Sequence, residues 1–135
     1  MKKRKIFSLL LSLPLWGGLV WGCSPSPEPS EVAAQAAKQY YDYLLEGKYE
    51  AFVDGQDHRD SLPASYREQL IMNMKMFMSQ LENEHHGLKE TRIVRAELDS
   101  ALHSADVFLA FCFGDSTTEE VLVPMVERKG IWYIK

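Results

Sequence analysis

The chain has 135 residues, 46% of them hydrophobic and 25% charged, which is the size and composition of one ordinary globular domain. Its formal charge is −4, but residues 23–135 alone hold eleven basic and nineteen acidic side chains, a net charge of −8. An acidic surface repels phosphate, so the composition argues against nucleic-acid binding and against electrostatic binding to anionic lipids.

The first 22 residues have the pattern of a cleavable export signal. Residues 2–5 are all basic, and an apolar run follows over residues 6–20. A membrane-spanning helix needs roughly 20 apolar residues, and Pro14 and Gly17 weaken a helix in this run. We therefore interpret residues 1–22 as a signal peptide, with an uncleaved signal anchor as the alternative.

The end of this segment, Val20-Trp21-Gly22-Cys23, resembles the lipobox of bacterial lipoproteins, in which an aliphatic residue at −3 and a small residue at −1 precede a cysteine. The resemblance implies cleavage between Gly22 and Cys23, a diacylglyceryl group on the Cys23 thiol and an acyl chain on the new amine. Two or three acyl chains give stable membrane anchoring where one does not. The alternative is an unmodified thiol in a leader.

A spacer is predicted after the cysteine. Residues 24–30 contain three alternating prolines and otherwise only serine and glutamate, which favours an extended, unpacked chain. Residues 23–30 would thus be a lipidated, disordered tether. By analogy with characterised lipoproteins, Ser24 rather than an aspartate after the cysteine favours the outer membrane, and the scarcity of acidic residues favours its periplasmic face.

Three helices are predicted next. Apolar residues at helical spacing predict a first helix from residue 30 or 31 to just before Gly47, whose freedom to adopt positive φ suits the helix end. Residues 48–53 predict a short second helix. After a polar loop at residues 56–62, a third helix is predicted from Pro63 to about residue 84.

The third helix has two contrasting faces. One broad face is predicted to pack on the core: Tyr66, Leu70, Ile71, Met74, Phe77, Met78 and Leu81. Met72 and Met76 fall on the opposite side. They are either two exposed methionines or a contact patch for a partner protein or a second copy of the chain, since thioethers adapt to many shapes.

The rest of the chain predicts four strands, at residues 88–98, 105–113, 118–127 and 131–134. The connections are short, so neighbouring strands should be antiparallel. The second strand is apolar on both faces and is expected to be covered on both, with Cys112 as a buried thiol. Pro124 lacks a donor, which requires a bulge or a free side there. The fold class is α+β, with helices on one face of a four-strand antiparallel meander.

Two segments carry a family resemblance. Residues 40–49, Tyr-Tyr-Asp-Tyr-Leu-Leu-Glu-Gly-Lys-Tyr, resemble the first helix and the entry to the second helix of the nuclear-transport-factor-2-like (cystatin-like) superfamily. Gly130-Ile131-Trp132-Tyr133-Ile134 resembles its closing strand. The resemblance covers roughly residues 31–135 and is closest to small lipoproteins carrying a domain of unknown function. It implies a curved sheet wrapped on a long helix around a cone-shaped hollow.

No catalytic or metal motif is recognisable, so no catalytic residue, metal or cofactor is predicted. Asp57 and His58 lie in the polar loop and should be solvated. His85 and His86 follow the third helix, where histidine favours the negative end of the helix dipole, and adjacent side chains point apart. His103 lies in a turn.

Large side chains could instead line an apolar hollow that binds a hydrophobic small molecule, with tyrosine hydroxyls as polar guides. The predicted lining is Tyr40, Tyr41, Met74, Phe77, Phe108, Phe111 and Trp132. The alternative is a solid core, because a domain of this size needs its aromatic residues for stability.

Three functions follow as hypotheses. The first is a membrane-anchored envelope lipoprotein that acts as a non-catalytic binding or scaffolding module. The second is a small lyase or isomerase of the polyketide-cyclase type, which would need Asp57, His58 or a tyrosine inside the hollow. The third is a subunit of an envelope assembly or a homo-oligomer, suggested by Met72 and Met76.

Overall fold

The computed structural model of the protein describes residues 27–58 and 62–135. The predicted signal peptide and the lipidation site Cys23 lie outside these residues. The predicted order of three helices followed by four strands is confirmed. The elements are α1 (Pro29–Leu45), α2 (Tyr49–Asp54), α3 (Ala64–His85), β1 (Leu88–Asp99), a 3₁₀ turn (Ser100–Leu102), β2 (Ser104–Phe113), β3 (Thr118–Arg128) and β4 (Ile131–Ile134).

Local signals explain where α1 begins and ends. Glu28 and Glu31 form a reciprocal capping box at its N-terminus, and Pro29 occupies the first turn, where its missing N–H costs nothing. Gly47 follows the helix with φ +76°, a left-handed conformation that glycine adopts without strain. The helix buries three alanines, which let its backbone approach the sheet closely, and one large side chain near its C-terminal end. These are Ala33, Ala34, Ala37 and Leu44.

The long helix α3 packs less deeply than predicted. Leu81 is its one buried residue, while five others of the predicted stripe are partly buried against the core: Leu70, Ile71, Met74, Phe77 and Met78. Tyr66 is 54% exposed, so its assignment to the core is wrong. Helical periodicity gives the direction of a side chain but not how far the neighbouring surface extends, and the first turn of α3, residues 64–66, is exposed throughout.

The sheet is an antiparallel meander in the order β1-β2-β3-β4. Lys129 and Gly130, with φ +53° and +81°, form the two-residue turn between β3 and β4, the type whose twist matches a hairpin. The last pair between β3 and β4 joins Met125 to Ile134, and Pro124 then accepts a bond from the Lys135 amide. The predicted alternatives were a bulge or a free side, and Pro124 pairs with Asp106 of β2 without a bulge. Its missing donor is on the β4 side, beyond the last β3–β4 pair, where its carbonyl alone is bonded.

Only one face of β2 is fully covered. The inner face of the sheet carries Val107, Leu109, Phe111 and Phe113, all buried. Phe108, Ala110 and Cys112 point to the outer face and are half-exposed. The predictions that β2 is covered twice and that Cys112 is buried are therefore wrong. An apolar strand does not reveal whether a second layer exists, and here the helices pack on the inner face alone.

Within the described ranges, 27–58 and 62–135, we find no helix with the length and apolar content needed to cross a bilayer.

Candidate functional site

A recess of about 280 Å³ lies between the three helices and the inner face of the sheet. Residues from α1, α2, α3, β2, β3 and β4 converge on it, so it is a product of the whole fold and not of one loop. Its lining is mostly apolar and aromatic: Tyr41, Phe52, Gln56, Met74, Phe77, Phe111, Val121 and Ile134.

Four of the seven predicted lining residues meet in this recess, namely Tyr41, Met74, Phe77 and Phe111. The other three lie elsewhere. Tyr40 packs its ring beside Gly55 and donates its hydroxyl proton to the Trp132 carbonyl at 2.6 Å. Trp132 lines a different groove, and Phe108 is on the outer face of the sheet, where the Arg95 guanidinium lies 3.8 Å from its ring centroid.

The remaining four lining residues were not part of the predicted lining. Phe52 lies in α2 and Val121 in β3, and both elements are predicted from their apolar residues, which carry a partial signal for these two positions. Gln56 and Ile134 are brought together by a parallel backbone bridge between distant parts of the chain. No local pattern encodes that bridge.

Tyr41 is the distinctive group of the recess. Its ring packs edge-on against Phe52, with ring centroids 5.0 Å apart, and tilts against Phe111 at 5.3 Å. Burial raises the pKa of its hydroxyl above the ordinary value. Among the described residues, neither this hydroxyl nor the Gln56 side-chain amide has a hydrogen-bond partner in the protein. Both are thus free to bond with a molecule in the recess.

Asp57 and His58 do not line this recess. They border a separate surface groove with Arg128 and Tyr133. Both carboxylate oxygens of Asp57 accept from Arg128, and this bond raises the pKa of the guanidinium. His58 Nε2 lies 2.9 Å from the Val53 carbonyl and must donate to it, since a carbonyl can only accept. The prediction of a solvated loop is wrong at Asp57, whose side chain is only 12% exposed.

A solved structure shares this arrangement of helices and sheet. It belongs to a candidate NTF2-like transpeptidase from Campylobacter jejuni and superposes with a TM-score of 0.60, covering 74% of this chain and 94% of that one. The chain has an NTF2-like fold. The resemblance inferred from residues 40–49 and 130–134 is confirmed at that level, and at 12% identity the likeness extends to the fold alone. No protein-family model and no curated protein sequence matches the chain.

The histidines of the NTF2-like domain lie away from the recess lining. His85 stacks on Phe113 with ring centroids 4.3 Å apart, and its Nδ1 lies 3.0 Å from an Asp115 carboxylate oxygen. Hydrogen bonds from the Thr117 hydroxyl and from His85 lower the pKa of Asp115 to about 2. This cluster fastens the end of α3 to the β2–β3 turn. His86 ends the helix with φ 61°.

The two remaining sets of polar or exposed candidates also lie outside the recess. His103 is 72% exposed at the end of the 3₁₀ turn, 3.8 Å from Glu127. In the described part of the chain, no three His, Cys, Asp or Glu side chains are placed to hold a metal ion. Met72 and Met76 are 51% and 62% exposed on the outer side of α3, and their role in contacts with a partner stays a prediction.

One buried polar cluster of the NTF2-like domain was not predicted. Thr91 of β1 is 1% exposed and donates its hydroxyl proton to Asp42 of α1 at 2.6 Å. Lys38, one turn earlier on α1, donates to the other Asp42 oxygen at 2.7 Å. The three side chains are hydrogen-bonded to one another, so the cluster fixes α1 on the edge strand.

Proposed function

We propose that the protein is an envelope lipoprotein, anchored through acyl chains on Cys23, whose NTF2-like domain is a non-catalytic binding module for a small apolar molecule. The observation that supports binding is the chemistry of the recess. Among the described residues, its lining contains mostly aromatic and aliphatic side chains, and the polar side-chain groups are the Tyr41 hydroxyl and the Gln56 amide. Neither group exchanges a proton readily near neutral pH.

These two groups also define the class of ligand. Because burial raises the pKa of Tyr41, its hydroxyl keeps its proton and can donate one hydrogen bond. The Gln56 amide can donate or accept. With a volume of about 280 Å³, the recess suits a compact ring or short chain that carries a single hydroxyl or carbonyl group.

The alternative, a lyase or isomerase of the polyketide-cyclase type, has less support. Asp57 and His58 border a different groove, so Tyr41 would be its acid–base group. A protonated tyrosine can stabilise a developing oxyanion by hydrogen bonding. However, the described lining holds no carboxylate or histidine to remove a proton from the substrate. The arrangement therefore favours binding over turnover.

Methionine NMR with 1-naphthol as the probe tests the binding proposal. Met74 lines the recess, while Met72 and Met76 are exposed on the same helix and serve as internal controls. We expect saturable shifts of the Met74 methyl signal and none at Met72 or Met76. Equal shifts at all three, or none at Met74, would contradict the proposal.

Three variants sharpen this experiment. Val121→Trp should fill the recess and abolish the Met74 response, while Val94→Trp, at a position 45% exposed on β1, should leave it intact. Tyr41→Phe should weaken binding by roughly 5- to 10-fold, the equivalent of one hydrogen bond. Release of a chemically altered naphthol product would instead support the enzyme alternative.

The membrane anchor is tested separately. Mass spectrometry of the mature N-terminus should find Cys23 carrying diacylglyceryl and acyl groups, and the Cys23→Ala protein should leave the membrane fraction. We place the domain at the periplasmic face of the outer membrane. Membrane retention of the Cys23→Ala protein, cut at the same bond, would overturn the anchor.

The assembly hypothesis remains a further proposal, resting on the exposure of Met72 and Met76. It predicts that Met72→Asp with Met76→Asp changes the oligomeric state or the proteins recovered in pull-downs. The Tyr66→Asp variant, on another exposed part of α3, is the control.

A further inference from the structure

An apolar groove lies at the end of the domain where the described chain begins. Its lining includes Pro27 and Pro29 from the start of the described chain and Leu98 and Trp132 from the sheet, and its volume is about 410 Å³. The groove and the recess share no lining residue, so they are distinct. Trp132 of the groove and Ile134 of the recess lie on the same face of β4, two residues apart. The groove lies where the described chain begins, and this position sets its distance from the proposed anchor at Cys23.

The same end of the sheet carries a concentration of exposed apolar side chains. In an antiparallel meander, one end of the sheet contains the C-terminal ends of β1 and β3 and the N-terminal ends of β2 and β4. Of nine large hydrophobic side chains exposed in the described residues, four lie here: Val32, Leu98, Leu102 and Ile131. Leu102, in the 3₁₀ turn, is 68% exposed, the highest value of the nine.

Chain length places this end close to the proposed anchor. Three residues separate Cys23 from Pro27, and the four Cα–Cα steps between these two positions span at most about 14 Å. This step rests on the proposed function, because it takes Cys23 to be acylated. With Cys23 held in the membrane, Pro27 at the groove stays within about 14 Å of the anchored cysteine.

We propose that the groove and the exposed Leu102 dock on the lipid surface itself, so that the domain rests on the membrane in one orientation. Apolar side chains at such an end gain free energy by entering the boundary between headgroups and acyl chains. Glu127 lines the groove, and the adjoining surface holds three acids, Glu97, Asp99 and Asp106, against Lys135, so the local charge is negative and disfavours anionic headgroups. The surface that fits is therefore zwitterionic lipid.

The mature chain offers a direct probe, because Trp16 and Trp21 belong to the signal peptide and Trp132 is the one tryptophan after residue 22. The full mature lipoprotein is reconstituted in phosphatidylcholine vesicles that contain a lipid with a nitroxide near the headgroup. We expect the nitroxide to quench Trp132 emission. Leu102→Asp should abolish that quenching, and Leu122→Asp, on the middle of β3 and 53% exposed, should preserve it.

Each outcome bears on one proposal. If the chain fails to float with the vesicles, the acyl anchor is wrong. If it floats and Trp132 is not quenched, or is quenched equally in wild type and Leu102→Asp, the anchor stands and docking is overturned. Circular dichroism of the Leu102→Asp protein checks that the variant is folded, which its exposure in the native structure leads us to expect.

Discussion

Arg128 at the end of β3 donates from Nε and Nη2 to the two carboxylate oxygens of Asp57, at 2.6 and 2.8 Å. The pair joins residues 71 positions apart in the chain and holds the segment after α2 against the sheet. The Asp57 amide adds a bond to the Ile134 carbonyl at 2.7 Å. Because Gln56 and Ile134 both line the recess, this ion pair fixes the position of one of its walls.

We expect Arg128→Met to lower the melting temperature more than Arg92→Met does. Asp57 is only 12% exposed, so removing Arg128 leaves a largely buried carboxylate without its bidentate partner. Arg92 and its partner Glu90 are both more than half exposed, and such pairs contribute little. Thermal unfolding followed by circular dichroism measures both variants. Equal losses would show that the Asp57 pair has no special role.

Thr91→Val should lower the free energy of unfolding by about 1 to 2 kcal/mol, because it removes a hydrogen bond to the Asp42 carboxylate while keeping the shape of the side chain. Urea denaturation at neutral pH gives the value. Thr118→Val, at an exposed position on β3, is the matched control and should change stability little. A Thr91→Val protein as stable as wild type would contradict the proposed role of the cluster.

Asp115 should contribute to stability in a defined acid range. Its pKa is lowered from 3.8 to about 2 in the folded state, so between these values the unfolded chain binds more protons. The stabilisation is complete above pH 4 or so and is lost as pH falls toward about 2. Denaturation midpoints at closely spaced pH values should show a smaller acid decline for Asp115→Asn. Asp106→Asn, at an exposed position on β2, should retain the wild-type decline.

Tyr41 should make the folded state less stable as pH rises, whereas Asp115 makes it less stable as pH falls. Its pKa is raised above 10.0 by burial, so in the folded state it keeps a proton that the unfolded chain releases. Stability should therefore be highest below pH 10 or so and decrease as pH rises through the folded-state pKa. Tyr41→Phe should remove part of this decrease, and Tyr66→Phe, at a position 54% exposed, should not. Absorbance titration of the tyrosinates provides a second measurement.

The order of elements could be predicted because each one has a local cause. Helical spacing, Gly47 after α1 and the Lys129-Gly130 turn all act within a few residues, and they are sufficient for three helices followed by a meander. The predictions of burial are wrong where burial depends on whether another element of the fold packs against the side chain. Tyr66 and Cys112 carry apolar patterns, yet within residues 27–58 and 62–135 no second layer covers either side chain.

The site was only partly predictable for the same reason. Tyr41, Met74, Phe77 and Phe111 could be proposed as lining from their size and spacing, but Tyr40, Phe108 and Trp132 share those properties and lie elsewhere. Which aromatic side chain faces a cavity depends on the rotation of α1 and the face of each strand relative to the helices. These are relations between elements, and composition carries no information about them.

From the sequence alone come the export pattern, the cysteine expected to carry lipid, the acidic charge and the succession of helices and strands, since all of these follow from neighbouring residues or from simple counts. Tertiary structure alone decides that Asp57 is paired, that the Tyr41 hydroxyl in an apolar recess has no partner among the described residues, and that exposed apolar side chains gather where the described chain begins. Contacts between residues tens of positions apart require the whole chain to have folded, because packing and burial set their energies together.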